Sequence, residues 1–374
     1  MRVEGIKYTG TPLSPSGYGS AARAFITALH NVGVDVTCEV IYQMGEKTNY
    51  GWTGELCKSL IDRNIPYKIK IVHLTADYAI KYMEDKIYNI LHLFWETDKL
   101  PQGWADCCNK AREVWTSSDA MIKLLRESGV KVPIYAFPQP IDITQADKDW
   151  GTFTIDQHKG FLFYSIFQWI ERKNPKGLLT SYWKAFSGRD DVSLLLKTYR
   201  VNYTKGEADK IVSDIKQWKR ELNLTHYPRV LLVPSLLTQE EIMRLHNTGD
   251  CFISADHGEG WSRPLQEALL MGRTAIATAK GGIRDYLSSD YYYPIKNTPV
   301  PVIPQPWIFY YSSDQNWVEP DYEELIKTMQ WVFSNKAVAN TKGIKAKDYI
   351  KDNFNFSRIG LLMRKRIEDI YKNL

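Results

Sequence analysis

Two glutamates, Glu259 and Glu267, stand eight positions apart across a glycine-bearing loop, and their spacing frames the clearest chemistry in the chain. Upstream, Cys251–Ser254 is a short apolar run suited to a buried strand, and it breaks into Asp256-His257-Gly258-Glu259-Gly260. Pro264 suits the first position of a following helix, because the N–H it lacks would be unpaired there, and Gly272 suits a left-handed turn at its end. Strand, loop and helix in that order aim unpaired main-chain N–H groups and the positive end of a helix dipole at the loop. That favours a phosphate or another anion near His257, Gly258, Gly260 and Trp261. Glu267 is expected in the first helical turn, so the two carboxylates flank the site and do not share a helical face. A carboxylate beside an anion site accepts hydrogen bonds from hydroxyls, and a nucleotide sugar carries both kinds of group. The pair Gly281-Gly282, after the apolar run 274–279, allows a second close backbone approach to a diphosphate.

Taken together, Glu259, Gly260, Pro264, Glu267, Ala268, Gly272 and Gly281-Gly282 resemble the signature of retaining nucleotide-sugar glycosyltransferases of the GT-B kind, glycosyltransferase family 4. Ser262 stands for the family's usual glycine and Arg263 for its usual leucine. The resemblance implies an α/β GT-B fold: two Rossmann-like domains facing a central cleft, with a C-terminal helix crossing back to the N-terminal domain. It implies retaining transfer of a sugar from a UDP- or GDP-sugar to a hydroxyl acceptor, a saccharide or lipid-linked saccharide, with no metal and no tightly bound cofactor. The nucleotide sugar is then a co-substrate. Glu267 would hold the ribose and Glu259 the donor hexose, and no protein nucleophile is assigned.

The chain's 374 residues exceed the size at which one core stops growing, so two domains are expected. They are placed at 1–155, an acceptor-side domain, and 156–345, the nucleotide-sugar domain, with 346–374 a helical segment packing back on the first. The linker is set within the aperiodic polar stretch 144–159. No apolar run is long enough to span a bilayer and the first ten residues lack a signal peptide's apolar core, so a cytoplasmic location is expected. Five cysteines without CxxC spacing indicate neither a disulfide framework nor a zinc site. Residues 342–374 carry nine Lys or Arg against four Asp or Glu, which accounts for the whole formal excess of +5. That segment reads as a solvated helix face, or as a basic surface for an anionic inner membrane face or nucleic acid.

In chain order, strands are expected at 5–8, 34–41, 69–75 and 88–95, alternating with helical patterns, as in parallel sheets with crossover helices. Gly17 and Gly19 open the first helix, and the resemblance turns this loop toward donor or acceptor. His92 and Glu96 fall at or just past a strand's carboxyl end, where open α/β sheets place ligands. Family members carry a histidine-glutamate pair there, but the matching pair here is Trp95-Glu96, so His92 reads equally as a core residue. In the second half, Arg172, Lys173 and Lys176 sit near a helix start, where cations oppose the dipole and need acids or an anion nearby. The resemblance assigns the diphosphate to Lys173. Lys197, at the end of the apolar run 192–196, reads as a second cleft cation or as a surface lysine. Ser235 and Leu236, before the helix-capping sequence 238–241, resemble the family's base-facing loop. Residues 291–321, dense in proline and aromatics, are expected to be an irregular excursion, with Trp307, Tyr310 and Trp317 as sugar-stacking candidates or packing residues.

Three other readings stay open. The sequence Gly17-Tyr18-Gly19-Ser20-Ala21-Ala22, with Glu39 twenty residues beyond Gly19, loosely fits a dinucleotide fingerprint and hence an NAD-dependent oxidoreductase. Basic tail and aromatics together would suit a noncatalytic polysaccharide or nucleic-acid binder. A glycosyltransferase acting on a hydroxylated DNA base is the third.

Overall fold

Short runs rich in isoleucine, valine and leucine, buried on both faces, build two parallel sheets, the pattern expected when crossover helices cover each side. The computed structural model describes residues 5–41, 48–156, 158 and 160–374, so Gln157 and Lys159 of the expected linker lie outside the described residues. Two units are formed, Met1–Thr144 with Lys351–Leu374, and Gln145–Ile350.

The first unit holds β1 (Gly5–Gly10), β2 (Val36–Val40), β3 (Tyr67–His73), β4 (Tyr88–His92), β5 (Glu113–Thr116) and β6 (Ile134–Ala136). They lie in the order β2-β1-β3-β4-β5-β6, and every pairing is parallel. The helix Gly17–Asn31 begins four residues before the expected apolar pattern, because Ser16 caps it by accepting from the Gly19 N–H at 3.1 Å. The helix Phe356–Tyr371 belongs to this unit. It packs on Gly17–Asn31 so closely that a Cβ on Gly360 would lie 2.2 Å from the Ala28 carbonyl oxygen. Basic residues of the C-terminal stretch are used in that packing: Arg364 donates to the Val32 carbonyl at 2.6 Å, and Arg366 Nε to the fully buried Glu113 carboxylate at 3.2 Å.

The second unit holds β7 (Phe161–Gln168), β8 (Val192–Tyr199), β9 (Arg229–Val233), β10 (Cys251–Ser254), β11 (Thr274–Thr278) and β12 (Tyr293–Ile295), all parallel, in the order β12-β11-β10-β7-β8-β9. Strand order reverses between β7 and β10. At such a switch point the loops leaving neighbouring strands diverge to opposite faces and open a crevice beyond the carboxyl ends.

The irregular excursion expected at 291–321 is not what forms. It contains β12 and an antiparallel ribbon of β13 (Asn297–Pro301) and β14 (Asn316–Pro320), and Trp317 is buried in it. Proline breaks a strand inside a sheet, but on a two-stranded ribbon the N–H groups facing away from the partner are not needed, so Pro299 and Pro301 fit in β13. Among the described residues, no helix is long and apolar enough to cross a membrane.

Candidate functional site

The loop after β7 is a single tight turn, Glu171–Lys173, ending at Asn174 in the left-handed conformation (φ 49°). Asparagine tolerates that backbone better than most residues, and here its side chain does two jobs. Asn174 caps the helix Pro175–Phe186 by accepting from the Gly177 N–H at 3.0 Å, and its Nδ2 donates to the Ala255 carbonyl at 2.9 Å. The second bond ties the β7 loop to the β10 loop across the switch point. The His257 N–H donates to the Arg172 carbonyl at 2.8 Å and closes the same seam.

This stitching brings Lys173 between two carboxylates. Its Nζ lies 2.7 Å from Asp256 Oδ2 and also contacts Glu259 Oε2, and the three side chains are at most 13% exposed. Arg172 Nη1 donates to the Gly258 carbonyl at 2.7 Å and lies 3.7 Å from Glu259 Oε2. The cations that oppose the helix dipole are therefore offset by Asp256 and Glu259. Burial alone would raise the Glu259 carboxyl, but Lys173 and Arg172 outweigh it and hold it down at about 2. Asp256 is pushed up to about 6 by burial, which Lys173 only partly reverses. Burial would lower the Lys173 ammonium, yet the two carboxylates raise it. Two acids whose environments drive them apart around one lysine mark this cluster as a candidate functional site.

Gly281 and Gly282 lie against this loop. A Cβ on Gly281 would sit 2.0 Å from the Glu259 carbonyl oxygen, and one on Gly282 would sit 2.1 Å from that of Gly260. The close backbone approach expected of the glycine pair is thus made to the Glu259-Gly260 loop itself. Glu259 Oε1 also accepts from the Ser262 N–H at 3.2 Å.

The helix after the loop is Arg263–Leu270, preceded by Ser262 with φ 68°, and Gly272 follows with φ +71° in the left-handed turn expected of it. Glu267 accordingly falls in the second turn, not the first. Its Oε1 lies 3.6 Å from Arg263 Nη2 and its Oε2 lies 3.6 Å from His246 Nε2. Trp261 is buried, stacked on Tyr286 at 4.1 Å between ring centres, and its indole N–H donates to Gln266 at 3.1 Å.

The remaining expected residues are spread more widely. Lys197 is buried near the end of β8, beside β7, with the Tyr203 ring 4.9 Å from its ammonium and no ion pair among the described residues. Burial pulls it down to about 8. Tyr199, two residues on, senses Lys173 and Arg172, which partly offset the rise that burial causes in its phenol. Lys176 lies away from Lys173: one helical step carries it to the surface, where it pairs with Glu221 at 2.7 Å. Ser235 is exposed and Leu236 half-buried after β9, two strands from β7. Gly17, Gly19, His92 and Glu96 belong to the first unit. Gly19 is required by packing, since a Cβ there would lie 2.2 Å from the Ser14 carbonyl oxygen. His92 is fully buried, its ring 4.4 Å from that of His73, and its burial drives the imidazole well below its ordinary range. Glu96 is half-buried just beyond β4. Glu39, the acid of the dinucleotide fingerprint, is bound by Thr9 at 2.7 Å and by the buried Lys70 at 2.8 Å. Asp256, Asn174 and His246 were not singled out from the sequence. Only Asp256 carried a signal, its place just past the carboxyl end of β10.

No family model and no curated protein sequence matches this chain. Solved structures do. Anabaena HepE in complex with UDP-glucose is similar over 99% of this chain and 100% of its own, with TM-score 0.67 and 12% identity. Sucrose-phosphate synthase from Thermosynechococcus elongatus gives TM-score 0.69 at 13% identity, over 99% and 100% of the two chains. A glycosyltransferase from Rickettsia africae gives 0.66 at 14% identity over the whole of both. The two parallel six-stranded sheets with their helices are the GT-B architecture of these neighbours.

Proposed function

We propose that this chain is a retaining glycosyltransferase of the family 4 kind, moving a sugar from a UDP- or GDP-sugar to a hydroxyl of a saccharide or lipid-linked saccharide. The observation that carries this reading is the Lys173, Asp256 and Glu259 cluster at the switch point of the second unit's sheet, with Glu267 on the adjoining helix. Neighbours of the same architecture that were crystallised with UDP-glucose, or with UDP and glucose, support a nucleotide sugar as the ligand.

In this reading the donor's diphosphate displaces part of the acid pairing of Lys173 and Arg172. The anomeric carbon to phosphate-oxygen bond breaks, the acceptor hydroxyl oxygen bonds to the same face of that carbon, and its proton leaves on the diphosphate oxygen. Charge grows on the departing diphosphate, so Lys173 and the main-chain N–H groups of Gly260, Trp261 and Gly282 act where the transition state needs them. Glu259 accepts from hydroxyls of the donor hexose and Glu267 from the ribose. Glu39 disfavours the oxidoreductase reading, since its carboxylate is committed to Thr9 and Lys70.

The test is turnover of UDP- and GDP-sugars by the full chain, with the product's anomeric configuration read by NMR. Glu267→Ala is expected to weaken bare nucleotide and nucleotide sugar alike, and Glu259→Ala the nucleotide sugar far more than the nucleotide. Wild-type turnover in both Glu267→Ala and Lys173→Ala would falsify the site.

A further inference from the structure

On the far side of the same two loops lies a cavity of about 450 Å³, well within the range of small-ligand sites, about 300–1,000 Å³. The loops alternate in what they offer. Lys173, Asp256 and Glu259 form the cluster described above, whereas their neighbours Glu171 and His257 line the cavity. His257 is the partition. Its ring stacks on Trp317 with centres 5.0 Å apart, its Nδ1 bonds to the Val318 carbonyl at 2.8 Å, and its main chain bonds to both Val318 and Arg172. The β13–β14 ribbon is thereby pinned as the cavity's outer wall, and the helix Pro175–Phe186 forms the floor.

The lining selects a class of ligand. The formal charges of the lining side chains Glu171, Glu319, Lys176 and Lys184 sum to zero, with the Lys176 ammonium itself paired with Glu221, so the walls do not demand an ionic ligand. No group of side chains suited to a metal ion occurs among the described residues. Thr180 and Ser181 add hydroxyls that donate and accept, and Val300, Ile303 and Ile326 supply an aliphatic face. Ile303 is 59% exposed, so its side chain is open to a ligand in the cavity. Carboxylates, ammonium and hydroxyls set beside an aliphatic face match a sugar ring, whose hydroxyls radiate in the plane while its C–H groups cover the faces.

We propose that this cavity binds a neutral saccharide at a site separate from the Lys173 and Glu259 cluster. The proposal stands whether or not that cluster takes a nucleotide sugar.

The test titrates the full chain with maltose, cellobiose and N-acetylglucosamine, separately, following tryptophan fluorescence and calorimetry, with and without saturating UDP. Thr180→Trp fills the cavity from its floor, Glu319→Gln changes one acceptor in its wall, and Glu259→Ala alters only the cluster side. Saturable binding of at least one sugar is expected, retained with UDP and in Glu259→Ala, and weakened about tenfold or more, roughly 1.4 kcal/mol, in Thr180→Trp. Should circular dichroism show Thr180→Trp misfolded, Glu319→Gln decides, with a several-fold loss expected. Absence of saturable binding by all three sugars overturns the proposal. So does binding that UDP abolishes, or binding that a correctly folded cavity variant leaves unchanged.

Discussion

His246 Nε2 lies 3.6 Å from Glu267 Oε2, and the imidazole is held from behind by Tyr164, whose hydroxyl is 3.0 Å from Nδ1. Both rings are fully buried, and burial keeps the Tyr164 phenol protonated far above its ordinary range. A phenol that donates to Nδ1 places the imidazole's own proton on Nε2, on the side of Glu267. His246 is then a positioning residue for a carboxylate proposed to hold a ribose. Tyr164→Phe removes the bond that fixes this tautomer, at a stability cost of about 1 kcal/mol. UDP binding in calorimetry is expected to weaken several-fold. A purely structural role for Tyr164 predicts the stability loss with unchanged binding.

Lys173→Met tests the cluster's internal balance. It leaves the Asp256 and Glu259 carboxylates, 8% and 13% exposed, without the ammonium between them. Removing one partner of a buried charge group costs about 3 kcal/mol or more. Urea denaturation at pH 7 should show that loss, and most of it should be recovered in Lys173→Met combined with Asp256→Asn, since one stranded charge has then been removed. A double variant no more stable than Lys173→Met would mean Asp256 is not carrying the strain.

What could be read before any coordinates follows from how local each signal is. The strand Cys251–Ser254 was legible to the residue because apolar run, loop glycines, proline and terminal glycine agree. Lys176 was not: a cation near a helix start looks the same whether the turn carries it inward or, as here, out to Glu221. Asp256 needed the β7 loop to be seen opposite it, a contact 83 residues away in sequence. Glu267 falls in the second turn because the helix opens at Arg263, one residue before Pro264, which makes Glu267 its fifth residue. His246 and Tyr164 are linked only through tertiary packing. The β13–β14 ribbon was obscured by prolines that a two-stranded ribbon tolerates, whereas the packing reading of Trp317 fits its burial.

Asp256 also sets a pH dependence. Its carboxyl is pushed up to about 6, so its ionised form competes with a diphosphate for Lys173 above that pH and releases the lysine below it. A folded value above the ordinary carboxylate range means that stability from this group is fully present below about pH 4 and is lost as pH rises through about 6. Glu259, held at about 2, stays ionised throughout that window. Binding of a UDP-sugar, whose diphosphate does not titrate there, should therefore tighten as pH falls from 7 to 5.5, and Asp256→Asn should flatten the profile at its tight end. Affinity that fell with pH in the wild type would contradict this assignment.

Ser262 sits at φ 68°, ψ 75°, where a side chain is strained and glycine is not, and its N–H reaches Glu259 Oε1 at 3.2 Å. A serine in that conformation persists only because the helix Arg263–Leu270 and the Glu259 loop hold it there. Ser262→Gly keeps the N–H and removes the strain, at the cost of extra freedom in the unfolded chain. The expected net gain is about 0.5–1 kcal/mol, a melting temperature higher by a degree or two, with UDP-sugar affinity unchanged. Ser262→Ala keeps the strained backbone and should show no such gain. If glycine lowered stability and alanine did not, the buried hydroxyl and not the backbone would be what this position selects for.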